Sequence, residues 1–171
     1  MLKARLLWHD VGRVIAACEE ADDEAEFRVQ WFCSVVMLRA VGHVLKYYDA
    51  RDDAKLEGYL GELLAEWKSD ERSTRIFFEF LWTERNSAVK EYEFTDYTGN
   101  NAVPLVVESD DAVSTFDLDV ALYRPFEDGR FGGEDARDLL TEARTWWDEQ
   151  LARVEAFLSP GSRRRDSPKK I

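Results

Sequence analysis

The sequence predicts a mainly α protein, an antiparallel up-and-down bundle of four or five helices with a β-hairpin inserted before the last helix. Three observations lead there. Apolar residues recur at helical spacing in four long segments joined by short turns. One stretch between the last two of these alternates with a period of two instead. And a chain of 171 residues, 45% hydrophobic with 6 Trp, 10 Phe and 6 Tyr, can bury one core without staples.

The first helix is expected over residues 2–20, where Leu6, Leu7, Val11, Val14, Ile15 and Cys18 share a face until Ala21-Asp22-Asp23 breaks the pattern. The second, over 23–50, is the longest. Phe27, Trp31, Ser34, Leu38, Val41, Leu45 and Tyr48 follow a 4-3-4-3-4-3 spacing, the seam of a packed bundle. Val29, Cys33, Val36, Met37 and Val44 make its other sides apolar too, so it belongs at the centre. A third helix over 54–68 carries Leu56, Leu60, Leu63, Leu64 and Trp67; Gly58 and Gly61 either weaken it or admit a close neighbour. Ser69-Asp70 can cap a fourth over 71–94. Thr98–Asn101 then turns the chain, and Val103–Glu108 is extended. From Thr115, residues Phe116, Leu118, Val120 and Leu122 alternate with Asp117, Asp119, Ala121 and Tyr123, the period of a strand. Glu127–Gly133 is a loop, and Ala136, Leu140, Ala143, Trp147, Leu151, Val154 and Leu158 line a last helix over 134–158. Residues 1–158 thus make one helical domain with 95–132 as its hairpin and loop insertion. Residues 159–171, with Pro160, Gly161 and Pro168, read as a disordered basic tail.

The net charge of −12 is unevenly spread. The tail holds five basic residues against Asp166, so the body stands at −16. Such a body repels polyanions at long range and argues against non-specific nucleic-acid binding, DNA included. Cys18 and Cys33 sit inside apolar helical patterns and read as small hydrophobes of a reducing compartment. No stretch approaches the roughly 20 apolar residues of a membrane span, and the N-terminal residues lack a secretory pattern, so a cytoplasmic location is expected.

The candidate chemistry lies on the second and fourth helices. On a wheel at about 100° per residue from Phe77, the residues Ala88, Leu81, Tyr92, Phe78, Val89 and Trp82 fill an arc of about 140°. Arg85 lands near its middle and Asn86 on its flank. A guanidinium there needs a carboxylate, carbonyls or a ligand anion. This leaves two readings: Arg85 pairs with a carboxylate of a neighbouring helix, or it points into a groove and holds a phosphate. On the second helix Arg28, Phe32, Val35, Arg39 and Lys46 share a stripe with His43 at its edge. If that stripe faces the fourth helix, Arg39, His43, Lys46 and Arg85 form a basic groove on an acidic body. It would suit a phosphodiester, with His43 as the acid–base candidate. His9, beside Trp8 and Asp10, fits a surface or capping role.

Other chemistry is poorly provided for. Gly129, Gly132 and Gly133 lack the strand that precedes a phosphate loop. Two His and two Cys make no metal-ligand set. Asp22-Asp23, Asp52-Asp53 and Asp110-Asp111 fall at turns and read as helix caps. No cofactor is implied.

The stretch Phe27–Phe94, with Trp31–Val41 on a long helix and Glu84-Arg85-Asn86-Ser87-Ala88-Val89-Lys90-Glu91 on a later one, resembles the prokaryotic HEPN superfamily. These are helical domains of phage-defence and toxin–antitoxin systems, and the likeness is greatest to branches associated with abortive infection. In active members an arginine, often followed by a polar residue, precedes a histidine with four to six residues between them, and the pair cleaves RNA without metal, commonly across a dimer interface. The resemblance assigns Arg85 and Asn86 to that motif. The histidine positions hold Lys90, Glu91 and Tyr92. It therefore implies a catalytically degenerate domain that binds RNA or a cognate antitoxin-like protein, with Arg39, Lys46 and Lys90 as RNA contacts. The alternatives are an active ribonuclease using Arg85, Asn86 and His43, or an interaction module that only dimerises. A homodimer is expected; a membrane partner is not.

Overall fold

The computed structural model describes residues 1–91, 102–109, 112–119, 123–126 and 129–159. They run as α1 (Lys3–Glu19), α2 (Glu24–Val44), a π-helical turn (Leu45–Asp49), α3 (Ala54–Ser69), the single turn α4 (Glu71–Ser73), a π-helical segment (Thr74–Leu81), α5 (Trp82–Lys90), strands β1 (Ala102–Ser109) and β2 (Ala112–Asp119), and α6 (Ala136–Leu158). The protein is mainly helical. The tail residues 160–171, Tyr92, the turns expected at Thr98–Asn101 and Asp110-Asp111, and Val120 and Leu122 of the expected strand lie outside the described residues.

Aspartates start the helices. Asp23 accepts the Glu26 N–H at 2.8 Å, Asp53 those of Lys55 and Leu56 at 3.1 Å, Asp70 that of Ser73 at 2.8 Å and Asp135 that of Arg137 at 2.9 Å. Each satisfies donors the first helical turn leaves open and sets a negative charge at the positive end of the helix dipole. α1 has no such residue of its own. Asp49, at the far end of the second helix, accepts the N–H groups of Lys3 and Ala4 at 2.9 Å each.

Asp135 also tests the electrostatics. Burial alone would raise its pKa, but the Arg137 side chain and the backbone N–H groups of Arg124 and Arg137 outweigh that and lower it. A carboxyl with a depressed folded pKa stabilises fully above its unfolded value, near pH 4, and loses that contribution as pH falls through the folded value. Asp135→Ala should therefore cost about 1–2 kcal/mol at neutral pH. Urea unfolding repeated near pH 3 should show the gap between variant and parent shrinking.

α2 packs on α1, α5 and α6, and α6 packs on α1 and on the π-helical segment. The expected seam buries Phe27, Trp31, Ser34, Leu38, Val41 and Leu45, but Tyr48 is exposed. The reason is local: the Ala50 N–H bonds the Leu45 carbonyl at 3.1 Å, five residues back. The wider turn shifts the phase, so Ala50 is buried in Tyr48's place. Gly58 and Gly61 admit no close neighbour: an added Cβ would meet nothing within 4 Å at either. Close approaches occur instead at Gly12, where a Cβ would stand 2.7 Å from the Arg144 guanidinium, and at Gly42, where it would stand 2.9 Å from the buried Trp147 ring.

The predicted fourth helix departs most from expectation. Its buried residues are Ser73, Ile76, Phe77, Phe80, Leu81, Glu84 and Ala88, two columns spaced by four. In an α-helix that spacing drifts about 40° per step. Within Thr74–Leu81 the i→i+5 bonding puts more residues in each turn, and both columns stay on the core. The buried face thus carries Glu84, 5% exposed, while Arg85 and Asn86 are half-buried on its flank.

β1 pairs antiparallel with β2, from Ala102 opposite Asp119 to Ser109 opposite Ala112. The second strand begins three residues before Thr115, and Val106, Val113 and Phe116 are exposed. After the hairpin, Arg124, Phe126 and Phe131 are buried. The Arg124 guanidinium lies 4.0 Å over the Phe27 ring, and Phe126 packs on Trp31.

Candidate cationic groove

α2 and α5 meet along a cavity of about 380 Å³ lined by Arg39, Ala40, His43, Trp82, Arg85 and Asn86, with Val36 completing its wall. α2 supplies Arg39 and His43 one turn apart on a single face. α5 supplies Arg85 and Asn86, which the π-helical segment has turned out of the core. Arg85 donates from Nη1 to Asn86 Oδ1 at 3.0 Å, which leaves the rest of the guanidinium for a ligand.

Arg39 is held by aromatic rings. Its Cζ lies 4.9 Å from the Phe77 centroid and 4.7 Å from that of Trp82, distances at which a cation is attracted to the ring face. Burial, and then the nearby charge of Arg85, push its pKa below the usual guanidinium value. Two positive groups therefore face one cavity and disfavour each other there.

Among the described residues seven arginines pair with carboxylates: Arg5, Arg28, Arg72, Arg75, Arg130, Arg137 and Arg153. No described carboxylate pairs with Arg39 or Arg85. Arg13, Arg51 and Arg144 also lack an ion pair among the described residues; what distinguishes Arg39 and Arg85 is that both line one cavity. In a chain with 35 acidic residues against 23 basic ones, no described carboxylate lines the groove. Among the described residues Arg85 thus has no carboxylate partner of the kind one reading of the sequence expected.

No family model, curated protein or solved structure matches the chain. The groove is therefore read from its own chemistry.

Of the sequence-derived candidates, Arg39, His43, Arg85 and Asn86 share the groove. His43 is exposed at its edge, its ring tilted against Tyr47 with centroids 4.5 Å apart. Lys46 lines an adjoining cavity that also includes Arg39, His43 and Trp82. Lys90 is exposed at the last residue of α5 and lines neither cavity. The helical wheel puts Trp82 in the packed arc. At 48% exposed, it is instead the wall between the two cavities. A wheel treats every apolar residue as core. The signal in the sequence is the excess of large apolar residues in 76–82 over what one buried face can hold.

Proposed function

We propose that the protein is a HEPN-like domain, an up-and-down helical bundle with a hairpin insertion, that binds single-stranded RNA through this groove in a phage-defence or toxin–antitoxin setting. The observation that carries it is the pair Arg39 and Arg85, two guanidinium groups facing one cavity without a carboxylate. Such an arrangement is completed by an anion with several acceptor oxygens, and a phosphodiester supplies them. Trp82 at the wall offers an exposed ring on which a base can stack. The setting, and association with a second copy or a cognate antitoxin-like protein, rest on the resemblance of Phe27–Phe94 alone.

Binding without turnover is the reading we favour. Transesterification of RNA needs one group to take the 2′-OH proton and another to protonate the departing 5′ oxygen. The groove offers one imidazole, His43, and its other ionisable groups are arginines, which cannot give up a proton at neutral pH. The active-ribonuclease alternative keeps one observation in its favour: His43 lines the same cavity as Arg85 and Asn86.

Fluorescence anisotropy with a short labelled RNA tests this across about 50–200 mM salt. Two phosphate contacts should give a log–log salt slope near about −1.4, and Arg85→Ala should reduce it by about 0.7. A slope near zero, or one unchanged in Arg85→Ala and Arg39→Ala, rejects the groove as the RNA site. RNA shortened by the parent and left intact by His43→Ala would replace binding with catalysis.

A further inference from the structure

The second cavity, about 440 Å³, opens between α2 with its π-helical turn, α3 and the π-helical segment. Its interior is apolar: Leu45, Leu60, Leu64, Trp67, Phe77 and Phe78. Size and lining are those of a small-molecule site, which typically spans about 300–1,000 Å³. Its ionisable rim is one-sided, with Arg39, His43, Lys46 and Lys68 and no carboxylate. Among the described residues neither Lys46 nor Lys68 is ion-paired.

The buried part of the wall has nothing to read a polar ligand with; Tyr47 and Trp82, which also line the cavity, are exposed. Trp67 Nε1, the polar atom its buried aromatics could offer, already donates to Gln150 Oε1 at 2.9 Å. A nucleobase seated here would bury edge N–H and C=O groups without partners, which is unfavourable. A hydrocarbon chain has no such groups. The complement of the cationic rim is one anionic head group.

We infer that this slot binds a free amphiphile with one anionic head and an alkyl tail, the tail against Leu60, Leu64, Trp67 and Phe78 and the head between Arg39, Lys46 and Lys68. An alkyl carboxylate and an alkyl phosphate share that chemistry. The inference needs the slot and Arg39, and does not depend on RNA occupying the groove.

Isothermal titration calorimetry of the full chain with dodecanoate and with dodecyl phosphate, each below its micelle-forming concentration, tests it and shows which head is preferred. We expect saturable binding near one ligand per chain, with a negative heat-capacity change from apolar burial. Decyl phosphate should bind roughly fifteenfold more weakly, about fourfold for each of the two methylenes lost. Dodecanol, with the same tail and no charge, should be weaker by about tenfold or more. Leu64→Trp, which fills the slot, should abolish binding and leave RNA affinity unchanged, because Leu64 lines the slot and not the groove. If Leu64→Trp melts early, the exposed Lys68→Glu serves instead and should weaken binding several-fold.

Unsaturable uptake, equal affinity for dodecanol, or binding indifferent to the folded variant overturns the inference. Amphiphile binding without RNA binding would sink the RNA reading alone, and RNA binding without amphiphile binding would sink this one alone.

Discussion

Arg39→Met is expected to leave thermal stability unchanged or slightly raised while weakening RNA binding by about ten- to a hundredfold. The two halves have different causes. In the folded protein the Arg39 guanidinium is partly stripped of water, stands near the like charge of Arg85 and has no carboxylate among the described residues to offset either. Its compensation is contact with the Phe77 and Trp82 rings. A methionine keeps a long, polarisable chain against those rings and removes the charge. Exchanging a poorly compensated, partly buried charge for an apolar side chain of similar reach is neutral or stabilising in many proteins. On the binding side, a hydrogen-bonded charge contact with phosphate contributes about 1.5–3 kcal/mol, which is the stated fold-change. Parallel melting curves and anisotropy titrations check both halves. A variant that melts well below the parent and binds RNA normally would make Arg39 a structural residue. The same contrast should hold for Arg85 with a smaller stability term, because it lacks the two ring contacts.

The helices were legible because their signals are local. Each aspartate cap stands beside the turn it closes, and the α2 seam is carried by residues three and four apart. What the sequence concealed was phase. The i→i+5 stretches at Leu45–Asp49 and Thr74–Leu81 rotate the helical residues after them. They are built from ordinary helix formers and apolar residues, with no proline or glycine to mark them. That slip put Arg85 in the core on paper and Glu84 there in the folded chain. The groove itself was legible as a condition, that the Arg39–His43 stripe must face the Arg85 helix. Only the three-dimensional packing of α2 against α5 meets that condition. Asp49 capping α1 and Phe126 and Phe131 anchoring the last loop were beyond reach for the same reason. Their partners are more than forty residues away, and nothing in the local pattern records the pairing.

The aromatic floor beneath the slot should produce the largest stability effects, and their order is set by hydrogen bonds more than by ring size. Trp67, Phe77, Trp146 and Trp147 form one cluster, with centroids 4.8 to 5.8 Å apart. Trp146 and Trp147 are both essentially fully buried. Either one replaced by alanine should cost about 3–5 kcal/mol, the loss of transfer energy plus a cavity that α2, tight at Gly42, cannot close. Against a typical total of about 5–15 kcal/mol, that brings the protein near its unfolding midpoint. Phenylalanine separates the two positions. Trp146 Nε1 donates to the buried Ser73 hydroxyl at 3.0 Å, so Trp146→Phe removes volume and also strands that hydroxyl, adding about 1–3 kcal/mol. Trp147 Nε1 is buried with no hydrogen-bond partner among the described residues. Trp147→Phe loses the same volume but relieves an unsatisfied donor. Urea unfolding should therefore rank Trp146→Phe as clearly more damaging than Trp147→Phe, and adding Ser73→Ala to Trp146→Phe should recover part of the loss. Equal costs for the two phenylalanine variants would mean that packing alone governs the cluster. Because Trp67 and Phe77 belong both to this cluster and to the slot above it, a collapsed floor should also reach Arg39, which rests on the Phe77 ring. The alanine variants should lose affinity at the groove even at temperatures where they remain folded.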